Sequence, residues 1–275
     1  MPGKQYGIRF KKGKERWLDL SGTWDAQIRK QMEYLPEKTF FNYMASAMFN
    51  GMISPVSPYK ICAVIYYQGE SDVGHPNRYA LEFRALVNDW RKSWKEKQLP
   101  IIYVQLAGFS DGNIKKQGTQ WAEFREVQRQ AMEIENTAMV QAYDVGEYND
   151  LHPMDKKALG MRAALAVHKL VYGEKEECTG PQVRKIRLDR DKRVYAVFDQ
   201  PLQTGSKKDG CELVSEVELR KANGDYKRAY VTVDGNEICA WLSDGEEPTG
   251  IRYAWKDCPM IYVCMEKGDF RSYHL

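Results

Sequence analysis

The chain has 275 residues, 43% hydrophobic and 29% charged, with 41 basic against 38 acidic side chains and a net charge of +3. The balance is that of an ordinary globular protein, and an excess so small and so dispersed argues against a nucleic-acid partner. No apolar run approaches the ~18 residues of a membrane span, and Met1-Pro2-Gly3-Lys4 leads into charge rather than into the apolar core of a signal peptide.

Residues 1–60 read as an irregular N-terminal segment. Lys11-Lys12-Gly13-Lys14 is a turn, and Trp17-Leu18-Asp19-Leu20 alternates as a short strand does. Trp24 to Ile28 continues extended, Leu35-Pro36 breaks the chain, and Phe40 to Met52 reads as an irregular or short helical packing segment. Pro55 and Pro58 then lead to the first strong strand, Ile61 to Tyr67. It runs straight into the polar cluster Gln68-Gly69-Glu70-Ser71-Asp72.

A turn at Gly74-His75-Pro76-Asn77 opens a helix over about residues 78–97, with Tyr79, Phe83, Leu86, Val87, Trp90 and Trp94 at helical spacing. Leu99-Pro100 ends it, and Ile101 to Ala107 is a strand apolar enough to be covered on both faces. Polar residues 108–119 make a loop at the same edge as the first cluster. A second helix follows from Trp121 to about Ile134, then a third strand, Ala138 to Tyr143. That strand hands over to Asp144-Val145-Gly146 and to a second polar cluster, Asn149-Asp150-Leu151-His152-Pro153. A third helix runs from Met154 to Tyr172 and closes at Gly173.

Residues 61–175 therefore read β-α-β-α-β-α, an α/β domain with parallel strands and helices on the faces. Three strands are few for such a sheet. Thr179-Gly180-Pro181 marks a boundary, and residues 181–275 carry short alternating strands with hairpin signals at Asn223-Gly224 and Asp234-Gly235, most simply a β-sandwich.

In open α/β sheets ligands bind at the carboxyl ends of the strands, so the two polar clusters are expected to face one site. His152 is the candidate general base, its ordinary pKa lying near working pH; the alternative is a His that only caps the next helix. Gln68 offers an amide to a substrate oxygen or oxyanion, and Gly69 allows close backbone approach. Glu70 could orient a histidine as the acid of a triad does, against the plain reading of a turn capped by Ser71 or Asp72. Gly69-Glu70-Ser71 is not a nucleophile elbow, since Val73 interrupts the Gly-x-Ser-x-Gly pattern before Gly74. His75, His168 and His274 read as a turn, a helix and a terminal residue. No metal is expected: Glu70, Asp72 and His75 lie close, but no second His joins them. The six cysteines lack Cys-x-x-Cys pairing, which excludes a zinc knuckle. A disulfide among the four beyond residue 200 stays open, whereas Cys62 and Cys239 read as small packed hydrophobes. No cofactor is called for.

In this order, four stretches resemble the sialate O-acetylesterase family, within the SGNH-hydrolase group that includes acetylxylan esterases: Phe49 to Pro55, Val64 to Asp72, Leu99 to Ala107 and Trp121 to Gln128. So do Asp144 to Gly146, Asp150 to Lys156, Gly180-Pro181 and Ile251 to Trp255. The resemblance implies an SGNH-type α/β hydrolase with a β-sandwich appendage, removing acetyl esters from sugars such as O-acetyl sialic acid or acetylated xylan. It implies a serine nucleophile, His152 as base, and Gln68 and Gly69 lining the pocket. The family's usual acid position, three before the His, holds Asn149 here, so Glu70 becomes the acid, with Asp150 second. The family's Gly-x-Ser block follows an early strand, and residues 1–60 hold no such block. The serine is thus expected outside these 275 residues, the chain resembling the C-terminal portion of an esterase or a non-catalytic, glycan-binding or structural remnant. An N-terminal partner chain or a second copy is expected over the open sheet edge, unless the aromatic residues of 1–60 cover it. An extracellular or periplasmic place would follow from the resemblance alone.

Overall fold

The computed structural model describes residues 7–12, 14–19, 23, 25, 40, 44–110, 118–142, 144–175, 178–204, 207–208, 211–212, 216–259 and 263–265. The chain divides into two units, Met1–Met48 and Phe49–Leu275. In the first, strands β1 (Gly7–Lys12) and β2 (Lys14–Asp19) pair antiparallel, with Lys12 opposite Lys14. Lys11, Lys12 and Lys14 of the basic cluster thus lie at the adjoining ends of these strands, with Gly13 outside the described residues, and Trp17 to Asp19 lies in a strand. Ser21, Trp24, Ile28 and the break at Leu35-Pro36 lie outside the described residues. Of the segment Phe40 to Met52, expected to be a short helical packing segment, Phe40, Met44, Met48 and Met52 are exposed, Ala47 and Phe49 are half-buried, and residues 41–43 lie outside the described residues. Phe49–Ile53 forms a single π-helical turn, too short to offer a continuous apolar face.

The second unit begins its regular structure with a parallel sheet. Strands β3 (Val64–Tyr66), β4 (Ile101–Val104) and β5 (Thr137–Val140) lie in the order β3-β4-β5, with Val64 opposite Ile101 and Ile101 opposite Thr137. Helices α1 (Pro76–Ser93), α2 (Gln120–Gln130) and α3 (Lys156–Tyr172) are the crossovers. The two sheet faces have separate cores. Ile102, Val104, Ala138 and Val140 pack with Leu159, Ala163 and Ala166 of α3. Ile101, Tyr103 and Met139 pack with Tyr79, Phe83 and Val87 of α1 and Phe124 of α2. The alternation along each strand thus feeds two helical layers, and all four residues of β4 are buried. Helix α1 starts at Pro76, which is pre-set for a first helical turn. Helix α3 ends on Gly173 at φ +70°, a left-handed cap.

Eleven further strands follow among the described residues: β6 (Val183–Leu188), β7 (Val194–Phe198), β8 (Leu202–Thr204), β9 (Lys207–Lys208), β10 (Cys211–Glu212), β11 (Val217–Arg220), β12 (Tyr226–Arg228), β13 (Tyr230–Asp234), β14 (Glu237–Trp241), β15 (Gly250–Tyr253) and β16 (Val263–Met265). A four-stranded sheet, β13-β14-β7-β6, and a three-stranded one, β12-β11-β15, are antiparallel. They share a core of Val194, Ala196, Phe198, Val217, Leu219, Ile238 and Ala240. Both predicted hairpin turns are present, with Gly224 at φ +94° and Gly235 at φ +56°. Asp257 clasps this region to the parallel one. Its carboxylate accepts the Trp121 N–H at 2.9 Å, and its carbonyl accepts from Arg125 at 3.0 Å. No helix among the described residues is long and apolar enough to cross a membrane. Cys62 is exposed rather than packed, since β3 begins only at Val64; Cys178 and Cys258 are buried and Cys239 is half-buried.

Candidate active site

Three loops leave the carboxyl ends of the parallel strands and meet. Gly146, after β5, sits so close to Gly108, after β4, that a Cβ on it would lie 2.5 Å from the Gly108 backbone. The Ser110 N–H and hydroxyl both donate to the Tyr148 carbonyl, at 2.9 and 3.2 Å. From β3, Tyr67 packs against the same core as Val145. The Lys156 ammonium, four residues beyond His152, stands 4.9 Å over the Tyr67 ring. The Gln68 and His152 clusters are therefore at one sheet edge.

The first cluster is locked. Gly69 is buried, at φ +153°, and a Cβ there would meet the Phe124 ring at 2.7 Å. Only glycine serves both the conformation and the space. The Gln68 carboxamide is held at both ends: its Oε1 accepts the Tyr66 hydroxyl at 2.9 Å, and its Nε2 donates to Asp72 Oδ2 at 2.6 Å. An NH₂ carries two hydrogens, and among the described residues only one of them is bonded. Burial first, then the carboxylates of Asp72 and Glu70, push the Tyr66 hydroxyl up to about 12. Burial and Glu70 push Tyr67 up to about 12 as well. Both phenols stay protonated, and Tyr66 stays a donor. Glu70, Ser71 and Asp72 form one 3₁₀ turn. Neither Ser71 nor Asp72 caps α1: the cap position is His75, without a side-chain bond, and Asp72 is spent on Gln68.

The second cluster is exposed. His152 and Asn149 face solvent, while Pro153 is buried and anchors the loop. Asp150 Oδ1 accepts the backbone N–H of His152 at 2.8 Å, and the Asp150 N–H donates to the Glu147 carbonyl at 3.0 Å. The stretch before His152 is thus a turn, not an extended segment. Helix α3 is capped by Asp155, which accepts the Ala158 N–H at 3.1 Å, so His152 is not its cap. Among the described residues neither the His152 imidazole nor the Glu70 carboxylate has a hydrogen-bond or ion-pair partner. His168 pairs with Glu174 at 2.8 Å on the surface of α3. Among the described residues no group of three His, Cys, Asp or Glu side chains is placed to hold a metal.

Sequence reasoning missed the element that sets the second loop. Arg162 of α3 grips Asp144 with two bonds, at 2.7 and 2.6 Å, and donates to the Gln141 carbonyl at 2.7 Å. Both side chains are about 5% exposed or less. Asp144 stood in a noted segment, but a lone Arg inside a helix gives no signal of its partner 18 residues away. Gln128 was missed too: its Oε1 accepts the Leu106 N–H at 2.9 Å beside the Phe124–Gly69 contact.

The fold is similar to that of a carbohydrate acetylesterase from Xanthomonas citri. The two align with a TM-score of 0.72 and 28% identity, over 80% of this chain and 51% of that one. The class is that of the carbohydrate esterases. Within it, the chain belongs to the sialic acid-specific acetylesterase family, whose family model matches residues 26–169, more than half of its length. Sialate O-acetylesterase of Rattus norvegicus is 31% identical over 183 residues, 59% of this chain and 33% of its own. That of Pongo abelii is 28% identical over 239 residues, 79% of this chain and 45% of its own. The chain thus spans less than half the length of these curated relatives.

Proposed function

We propose that this chain supplies part of the active site of an acetylesterase that releases acetate from O-acetylated sugars, O-acetyl sialic acid or acetylated xylan among them. In this reading a serine Oγ attacks the acetyl carbonyl while His152 takes its proton. The spare Gln68 N–H and the backbone around Gly69 stabilise the oxyanion. Collapse expels the sugar oxygen, which takes the proton back from His152, and water then hydrolyses the acetyl-enzyme by the same relay. The convergence of the Gln68 and His152 loops at one sheet edge carries this proposal. Glu70 is the acid partner, since its carboxylate has no competing bond among the described residues, whereas Asp150 accepts from its own loop.

The serine comes from polypeptide outside these 275 residues, beside β3. Parallel strands are normally covered on both faces, yet Ile65 at the middle of β3 is 59% exposed, with Ile61 and Tyr59 exposed nearby. An N-terminal partner segment, or failing that a second copy, covers this edge.

Acetate release from 4-nitrophenyl acetate and from O-acetyl sialic acid tests the reading. The chain alone should be nearly inactive, and fusion of the upstream coding sequence should restore turnover that His152→Ala abolishes. Robust turnover by the chain alone, lost in His152→Ala, would overturn the claim of an external serine. A fusion that stays inactive would favour a glycan-binding or structural module. Monodisperse monomer at high concentration by light scattering would count against the uncovered edge.

A further inference from the structure

The two ends of a carboxamide are nearly equal in shape, so the partners of Gln68 decide which end stands where. The choice matters at an oxyanion. The nitrogen end can donate to it, and the oxygen end would repel it. The orientation rests on Tyr66 and Asp72, the two side chains that hold the amide.

These partners are not equivalent. A tyrosine hydroxyl both donates and accepts, so Tyr66 could serve either end of the amide. A carboxylate only accepts. Asp72 Oδ2, 2.6 Å from Gln68 Nε2, therefore excludes the amide oxygen from its side. The separation is shorter than that of an ordinary neutral N–H···O bond, as a charged acceptor brings about. Tyr66 then donates to the Oε1 left facing it, at 2.9 Å.

Asp72 is itself held. Its N–H donates to the Gly69 carbonyl at 2.9 Å, and its carbonyl accepts the His75 N–H at 2.7 Å. The carboxylate is thus carried on a turn bonded in both directions. Tyr66 is set by rings of α1, with Phe83 at 5.8 Å and Trp90 edge-on at 5.9 Å. A carboxylate beside a pocket for an anion works against it by Coulomb repulsion. A fixed amide is the gain that offsets this.

We infer that Asp72 is a positioning residue: it sets the turn of the Gln68 amide, so that an N–H and not the oxygen is left to receive the acetyl oxyanion. The orientation stands on the hydrogen bonds; its catalytic consequence rests on the acetylesterase reading.

Heteronuclear NMR spectra of the 275-residue chain test the orientation. The Gln68 side-chain amide is identified by its loss in Gln68→Ala. One of its protons should lie downfield, bonded to the carboxylate. Asp72→Ala should return it toward the free range, whereas Tyr66→Phe should leave it in place. Asp72→Asn, which keeps the shape of the turn, carries the same test should Asp72→Ala fail to fold. A proton unmoved in the Asp72 variants, or lost in Tyr66→Phe, would overturn the inference.

Kinetics of the fused enzyme with 4-nitrophenyl acetate test the consequence. Removal of one oxyanion donor costs about 10²–10³-fold in kcat. Asp72→Ala should cost at least about tenfold in kcat with KM within about twofold, and Tyr66→Phe less than about threefold in kcat. The double variant of Gln68→Ala with Asp72→Ala should lose no more than Gln68→Ala alone, because Asp72 acts through Gln68. Additive losses, or a raised KM with kcat unchanged, would overturn the inference. A kcat unchanged in Gln68→Ala would sink the oxyanion reading of Gln68, and the amide spectrum would still decide the orientation.

Discussion

The two polar clusters at the carboxyl edge of the sheet are held in opposite ways. Gln68 to Asp72 is part-buried, pinned by Phe124 beneath Gly69 and by bonds from Gln68 to Tyr66 and Asp72. The His152 loop lies in solvent, bonded within itself at Asp150, and is tied to the rest of the fold by Asp144, Arg162, Pro153 and the bonds from Ser110 to the Tyr148 carbonyl. A group that binds an oxyanion must not move as charge develops, whereas a base that takes and returns a proton needs a hydrogen-bonding partner only when substrate is bound. The difference suits the division of labour proposed above.

The sharpest way to break the contrast is at the base of the exposed loop. Arg162→Met leaves the Asp144 carboxylate buried and unpaired and should cost about 3–5 kcal/mol, read by urea unfolding. Gly69→Ala, in the locked cluster, adds positive-φ strain to a clash with Phe124 and should cost about 2–4 kcal/mol. If it were neutral, the cluster would be softer than described. Alkali should act on the locked side as well. The Tyr66 and Tyr67 hydroxyls titrate near 12 when folded, above the free phenol at about 10. The folded state thus holds these protons more tightly. Its advantage is full below pH 10 and is lost as pH rises from about 10 to 12, so melting temperature should fall across that window. In Tyr66→Phe the fall should be smaller. The smallest effect belongs to the exposed loop: His152→Ala should change stability by no more than about 0.5 kcal/mol.

Much of this was legible along the chain. Helix α1 buries the predicted Tyr79, Phe83 and Val87, because a 3.6-residue period needs no knowledge of what lies opposite. Strands β6 and β7 lie in the stretch where short alternating strands were expected, and Gly224 and Gly235 sit at the expected turns, since alternation and turn residues are local signals. Phe40, Met44, Met48, Met52 and Cys62 are exposed where packing was expected, because apolar composition states a wish for burial and not the presence of a partner. The expected cap at Ser71 or Asp72 failed for another reason: the Gln68 amide, four residues earlier, took the Asp72 carboxylate, and the helix began only at Pro76.

The order of the elements, the two polar clusters and the glycine between Gln68 and Glu70 were set by the sequence alone, since they rest on residue types at fixed spacing. Tertiary structure decided which strands neighbour one another, that the Gln68 and His152 loops share one sheet edge, that Arg162 holds Asp144, and that Asp257 clasps Trp121 and Arg125. Each of these joins residues far apart in the chain, where spacing carries no information and only the packing of helices on a sheet brings the partners together.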